Sequence, residues 1–179
     1  MLSNGVYVLT SRSAEHYGAA TVTWVSQASF KPPLLMAAVR RESNVYQCAA
    51  ASGSAALHVV GEGQQEIARR FFYPTCPGSG TLNGEPFREG RTTSPVLANL
   101  PAHVECHVEQ IVDTDGDHAV LILRVVEAEC SEHQGERALS KFSCCDNTVV
   151  RKAGHSTTIL VQRCARQRDE ADAAWIYRR

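Results

Sequence analysis

Apolar and polar residues alternate over short stretches along most of this chain, and the alternation predicts a protein built from β-strands. Gly5 to Ser11 reads as a first strand and Ala19 to Ala28 as a second, with Glu15-His-Tyr-Gly18 as the loop between them. On the second strand Thr21, Thr23 and Val25 fall on one face and Val22, Trp24 and Ser26 on the other, and Pro32-Pro33 fixes an extended exit. Leu34 to Arg40 is a continuous apolar run of strand length. Ser43 or Asn44 can then cap a helix that runs through Ala51 and ends at Gly53. Ala55 to Val60 resumes as a strand, and the spacing of Ile67, Phe71 and Phe72 predicts a short amphipathic helix over Gln64 to Phe72, stapled at its end by the two phenylalanines.

Between Pro74 and Pro95 lie six glycines and prolines ahead of a Thr-Thr-Ser turn, so this segment reads as a long loop and a candidate lid. His103 to Asp113 and His118 to Ala128 pair as a hairpin about the Thr114-Asp-Gly-Asp117 turn. Thr157 to Gln162 supplies a last strand, and 165–179 a terminal helix or tail. Strands without regularly alternating helices predict a mainly β class, an antiparallel barrel rather than a parallel α/β sheet.

Composition narrows the function more than the fold. The 179 residues suit a single domain, and with 44% hydrophobic and 21% charged residues and a formal net charge of −1, nothing in the overall balance favours nucleic acid or an anionic membrane. The longest apolar runs fall far short of the ~20 residues of a membrane span, and a cytoplasmic location is expected. Seven cysteines, at 48, 76, 106, 130, 144, 145 and 164, contain no C-x-x-C and are expected to be reduced. His103 and Cys106 sit on a strand where alternation turns Cys106 and His107 to opposite faces, so no metal site is expected.

Candidate chemistry concentrates in two places. Thr21-Val-Thr-Trp-Val-Ser-Gln-Ala-Ser-Phe-Lys-Pro-Pro33 offers a flat strand edge rich in hydroxyls, and Arg40-Arg-Glu-Ser-Asn44 brings two guanidiniums and a hydroxyl to a helix start, a site suited to a dianion. Taken alone, Arg40 and Arg41 read first as a solvated pair at a strand end and Trp24 as a core residue, and His118 is equally a turn histidine satisfied by Asp117 or a backbone carbonyl. No G-x-G-x-x-G follows a strand and no G-x-x-x-x-G-K is present, so a nicotinamide dinucleotide would bind only transiently.

These pieces, with the Gly5-Val-Tyr-Val-Leu-Thr10 opening and the Gly116-Asp-His118 corner, occur in one order from about residue 4 to about residue 128, and in that order the chain resembles the flavin reductase-like family of FMN-binding split barrels. The resemblance implies that Thr21, Val22, Thr23 and Trp24 line the flavin ring, that Ser26, Gln27, Ser29 and Phe30 approach the ring edge and ribityl chain, and that Arg40, Arg41, Ser43 and Asn44 hold the phosphate. It further implies that His118 stands beside the ring as the catalytic side chain. The implied cofactor is FMN, with FAD as the alternative, and NAD(P)H is a transient co-substrate. The implied assembly is a homodimer, and the implied partner is a flavin-dependent monooxygenase that receives reduced flavin.

Three departures bear on this reading: Gly18-Ala-Ala20 stands where many relatives carry Asn or Met, Leu123 stands where they carry a small residue, and Ser140 to Gly154 matches no reductase signature. The expected activity is an FMN-dependent NAD(P)H:flavin oxidoreductase. Its alternatives are a flavoredoxin-like electron carrier that retains FMN and an FMN-dependent enzyme acting on a small organic substrate.

Overall fold

The computed structural model describes residues 5–113 and 115–130, and the backbone of 147–153 and 156–162. Seven antiparallel strands form the main sheet: β1 (Tyr7–Ser13), β2 (His16–Val22), β3 (Val25–Phe30), β4 (Pro33–Arg40), β5 (Ser54–Val59), β10 (Ala102–Val112) and β11 (His118–Cys130), ordered β2-β1-β5-β10-β11-β4-β3. Its two edges, β2 and β3, are consecutive in the chain and joined only by Thr23 and Trp24. A seven-stranded sheet whose first and last members share a two-residue link must curl until its edges meet, which is the expected split barrel. Ala38 N–H, donating to the Trp24 carbonyl at 2.9 Å, extends the β3–β4 pairing into the link.

Two cores hold this frame. One fills the barrel with Leu9, Leu35, Val39, Leu57, Leu121 and Leu123, closed by Val45 and Ala49 of helix α1 (Asn44–Ser52). The other gathers Val8, Val60, Phe71, Leu82, Leu97 and Leu100 beneath helix α2 (Gln65–Arg70). Adjacent strand residues point to opposite faces, so with Val8 in one core and Leu9 in the other, β1 is buried on both sides. Between the cores, buried His58 donates from Nδ1 to the Val8 carbonyl and accepts at Nε2 from Leu97 N–H, both at 3.0 Å.

Helix α1 forms as its caps dictate. Ser43 Oγ accepts from Tyr46 N–H at 3.3 Å, and Gly53 takes the left-handed conformation with φ 69° and donates to Ala49 at 3.0 Å. Gly18 is required for another reason: a Cβ there would lie 2.4 Å from Val45 Cα and 2.5 Å from Asn44 O, so only glycine lets β2 pass beneath the start of α1.

Several sequence expectations are corrected. Glu15 to Gly18 is not a loop: Ala14 and Glu15 form the turn, with Ala14 at φ 51°, and β2 already runs from His16. Gly18, placed in that loop by the sequence reading, lies within β2 and serves close packing. The predicted strand Ala19 to Ala28 is two strands broken at Thr23-Trp24, so Val22 and Trp24 do not share a face; Val22 is buried and Trp24 is 56% exposed. The segment 74–95 is not a free loop but a four-stranded sheet of β6 (Pro77–Gly78), β7 (Thr81–Leu82), β8 (Glu85–Glu89) and β9 (Pro95–Leu97). Asn83 at φ 49° and Gly84 at φ 81° turn β7 into β8, and Leu82 and Leu97 anchor the sheet in the second core, a poor arrangement for a lid. A further hairpin, β12 (Asn147–Ala153) with β13 (Ser156–Gln162), contains one strand the pattern did not predict. The expected tail at 165–179 lies outside the described residues.

Candidate functional site

A cleft of about 840 Å³ opens beside the link between the two edge strands, in the upper part of the ~300–1,000 Å³ range of small-molecule sites. One wall is the end of β2 and the 23–24 link, with Thr21, Val22, Thr23 and Trp24. The other is the end of β4 and the start of α1, with Ala38, Arg40, Glu42, Ser43 and Asn44. His118, the first residue of β11, pairs with Arg40 across the β4–β11 ladder and enters the same cleft.

The Trp24 indole lies against the His118 ring, with centroids 4.8 Å apart and planes inclined by 48°. A Trp with more than half its surface open to solvent is not a core residue; it presents an apolar face to whatever enters the cleft. His118 Nδ1 lies 2.7 Å from Asp117 Oδ1. That contact, chiefly its hydrogen bond, holds the Asp117 carboxyl below its ordinary pKa and ties the His118 ring to the turn. The turn-histidine reading and the cleft reading of His118 therefore hold together.

At the other end, Ser43 caps α1 and its hydroxyl donates to the Arg40 carbonyl at 2.6 Å, which fixes the 40–43 turn. The first turn of α1 contains no acidic residue to oppose its positive dipole end, and Ser43 and Asn44 at that end line the cleft together with Arg40. Arg41 does not join them. Its Nε sits 2.9 Å from Asp113 Oδ1 in an ion pair, and its backbone N–H donates to the Asp117 carbonyl at 3.2 Å. One guanidinium, not two, lines this end, and Glu42 lies on the same lip.

Of the predicted positions, Thr21, Val22, Thr23, Trp24, Arg40, Ser43, Asn44 and His118 converge on the cleft, whereas Ser26, Gln27, Ser29, Phe30 and Arg41 are not among its lining. The break at Thr23-Trp24 explains the division, since β3 turns away to pair with β4. Phe30 is exposed at the far end of β3, and Gln27 Oε1 is buried without a partner.

The lining also includes Phe71 and Phe72, which the sequence reading took as the helix staple over a resemblance to a segment near the phosphate in some relatives, and Tyr73, Pro74 and Thr75, which it missed; the segment follows α2 and covers the edge of β2. Thr21 N–H donates to the Phe71 carbonyl at 3.1 Å, Thr21 Oγ1 to the Ala68 carbonyl at 2.6 Å, and Ala19 N–H to Thr75 Oγ1 at 2.8 Å. The three consecutive aromatics at 71–73 were the available signal. Phe71 is buried, but Phe72 and Tyr73 are exposed, so only Phe71 staples the helix.

An extended strand edge, an exposed aromatic face and an anion-binding helix start within one cleft fit a planar ring system carrying a phosphate tail. Among the described residues, no group of three or more His, Cys, Asp or Glu side chains is placed to hold a metal ion, and no helix is long and apolar enough to cross a membrane.

A family model described as "Flavin reductase like domain" matches residues 1–143. A diflavin flavoprotein of Synechocystis sp. is 27% identical over 139 residues, 77% of this chain, and the chain spans about a quarter (24%) of that relative's length. Among solved structures, an NADH:FAD oxidoreductase of Streptomyces globisporus is 25% identical with a TM-score of 0.62, covering 71% of this chain and 75% of that one. The flavin reductase component of a bacterial two-component tryptophan halogenase is 25% identical, also with a TM-score of 0.62, covering 72% and 81%.

Proposed function

The chain belongs to the flavin reductase-like domain family, and from that premise we propose that it is an NAD(P)H:flavin oxidoreductase that binds flavin, FMN in particular, in this cleft. The observation that carries the reading is the convergence of an exposed Trp24 face with the Arg40–Asn44 turn in one cleft. Flavin supplies the chemistry when bound, accepting a hydride from the nicotinamide.

The chain's own residues place and shield the reactants. Trp24 and the end of β2 form the apolar wall, and Arg40 with the α1 start neutralises the phosphate. His118, held by Asp117 in the cleft lining, would offer a donor or a positive charge to negative charge developing on a bound ring. Reduced flavin would pass to a flavin-dependent monooxygenase. The NADH:FAD oxidoreductase and the halogenase reductase component support this direction, as proteins of similar fold. A homodimer is part of the proposal; exposed Phe30 and Met36 on β3 and β4 are apolar surface that a second subunit would cover. A flavin-retaining module is the second reading, favoured by the match to a fragment of the diflavin flavoproteins.

Anaerobic mixing of the protein, FMN and NADH or NADPH should bleach the flavin's visible absorbance. Absence of bleaching with both donors rejects the reductase, while flavin retained through gel filtration but unreactive to both favours the second reading.

The geometry also separates two adjacent arginines. Arg40→Ala should weaken FMN about 10- to 100-fold, the loss of a charge-assisted contact of roughly 1.5–3 kcal/mol. Arg41→Ala, already committed to Asp113, should change it less than about threefold. Equal losses in flavin fluorescence titrations would contradict the placement of the phosphate.

A further inference from the structure

The cleft wall formed by Phe71 to Thr75 is gripped from two sides. On the inner side it docks on β2: Thr21 N–H and Oγ1 donate to the Phe71 and Ala68 carbonyls, and Thr75 Oγ1 accepts from Ala19 N–H at 2.8 Å and donates to the Ala19 carbonyl at 3.2 Å. On the outer side one residue of the β7–β8 turn, Asn83, holds both ends. Asn83 Nδ2 donates to the Arg70 carbonyl at 2.7 Å and to the Pro74 carbonyl at 3.4 Å, and Oδ1 accepts from Cys76 N–H at 2.7 Å. The Asn83 backbone N–H adds a bond to the Cys76 carbonyl at 2.9 Å. Arg70 and Cys76, the residues gripped, bracket the five that line the cleft.

Six residues of extended chain reach ~20 Å, so with both ends drawn onto one carboxamide the residues between them must bow away from it, onto the β2 edge. The Phe71 ring stays in the second core, and exposed Phe72 and Tyr73 ride on the bow. Asparagine meets both demands of this position: it tolerates the left-handed backbone at φ 49°, and its short side chain carries a donor and an acceptor.

We propose that Asn83, which is not among the lining residues, is the positioning residue of this wall: by fixing how the Phe71 to Thr75 segment lies over β2, it sets how tightly the cleft holds its ligands and leaves the rate of hydride transfer alone. The proposal rests on the flavin-reductase reading, which supplies the ligands FMN and NAD(P)H. Trp24, the Arg40 turn and His118 are tied to Ala38, Ser43 and Asp117 by bonds that do not pass through the wall, so these groups keep their places when it loosens.

The test uses the full chain. Asn83→Gly keeps the left-handed turn and removes the three side-chain bonds, and Asn83→Asp keeps the acceptor for Cys76 N–H but loses the donor to Arg70 and Pro74. Gly84→Ala is the control, since it strains the same turn at φ 81° and leaves the Asn83 carboxamide in place. In fluorescence titrations both Asn83 variants should weaken FMN about tenfold, the scale of one or two net hydrogen bonds, and Gly84→Ala less than about twofold. In anaerobic bleaching with NADH, KM should rise with the affinity loss while kcat stays within about twofold of wild type, a split that loss of folded protein does not produce. Without ligand, amide exchange at Cys76 should quicken in Asn83→Gly.

The proposal is overturned if Asn83→Gly binds FMN as wild type does, if kcat falls with affinity retained, or if Gly84→Ala weakens FMN as much as Asn83→Gly. Unchanged exchange at Cys76 overturns the clamp while leaving the flavin-reductase reading intact, whereas wild-type protein that binds no flavin rejects that reading and the role given to Asn83 with it.

Discussion

Gly18→Ala is expected to destabilise the fold by about 3–5 kcal/mol and to weaken flavin binding in whatever protein still folds. The added methyl would meet backbone on all its near contacts, Val45 Cα at 2.4 Å and Asn44 O and Val45 N at 2.5 Å, so no side-chain rotation relieves it. Either β2 or the start of α1 must move, and both line the cleft. Gly53→Ala provides the control. Its Cβ would enter open space, and the cost is that of the left-handed backbone at φ 69°, about 1–2 kcal/mol, with flavin affinity retained because Gly53 lies at the far end of the helix. Urea unfolding with parallel flavin titration checks both. A Gly18→Ala protein within about 1 kcal/mol of wild type, with unchanged affinity, would refute the packing argument.

The second large effect is acid instability centred on His58. Burial pushes the His58 imidazole down to about 3, although its bond to the Val8 carbonyl opposes that shift, and it folds neutral with both ring nitrogens engaged. An unfolded histidine takes up its proton near pH 6.5, so below that point the unfolded chain binds a proton that the folded one excludes. Stability is full above about pH 6.5 and falls as pH drops toward about 3, by on the order of 4–5 kcal/mol from this group.

His103, stacked on His58 with ring centroids 5.9 Å apart, is lowered chiefly by burial and adds loss of the same sign. Burial raises Glu105, but hydrogen bonds from the Arg91 and Thr92 backbone and the Thr92 hydroxyl outweigh it and hold the carboxyl low. Its stabilisation is present above the ordinary glutamate range and lost below it, extending the decline to lower pH. Denaturant midpoints measured between pH 7 and 4 should therefore fall steeply. His58→Gln, which keeps one donor and one acceptor but cannot take up a proton there, should flatten the profile. A wild-type midpoint independent of pH over that range would sink the assignment.

How much of this was legible before the coordinates depended on whether a residue's role was local. The α1 caps at Ser43 and Gly53 and the β10–β11 hairpin follow from local chemistry, and the structure places them within a residue or two of expectation. The seam was not legible, because a continuous β-type run from Ala19 to Ala28 gives no sign that Thr23-Trp24 leaves one sheet edge and joins the other. Gly18 was assigned to a loop for a related reason: a glycine needed for contact with residue 45 looks the same in sequence as one in a loop.

The sheet at 74–95 could have been anticipated. Asn83-Gly84 is a strong hairpin signal, but the surrounding glycines and prolines outweighed it. At the cleft, the Arg40–Asn44 turn was visible as an anion site, yet only the position of Asp113, at the end of another strand, decides that Arg41 faces away. The presence of Phe72 and Tyr73 in the lining depends on the same kind of distant information.

Because the opening lies where the first and last staves are spliced by two residues, its width and its load can diverge from the frame's integrity. Lengthening or shortening the splice at 23–24 would widen or pinch the aperture while leaving all six ladders of the main sheet in register. Changes of substrate size would then accumulate at that joint, and changes of thermal tolerance in the staves.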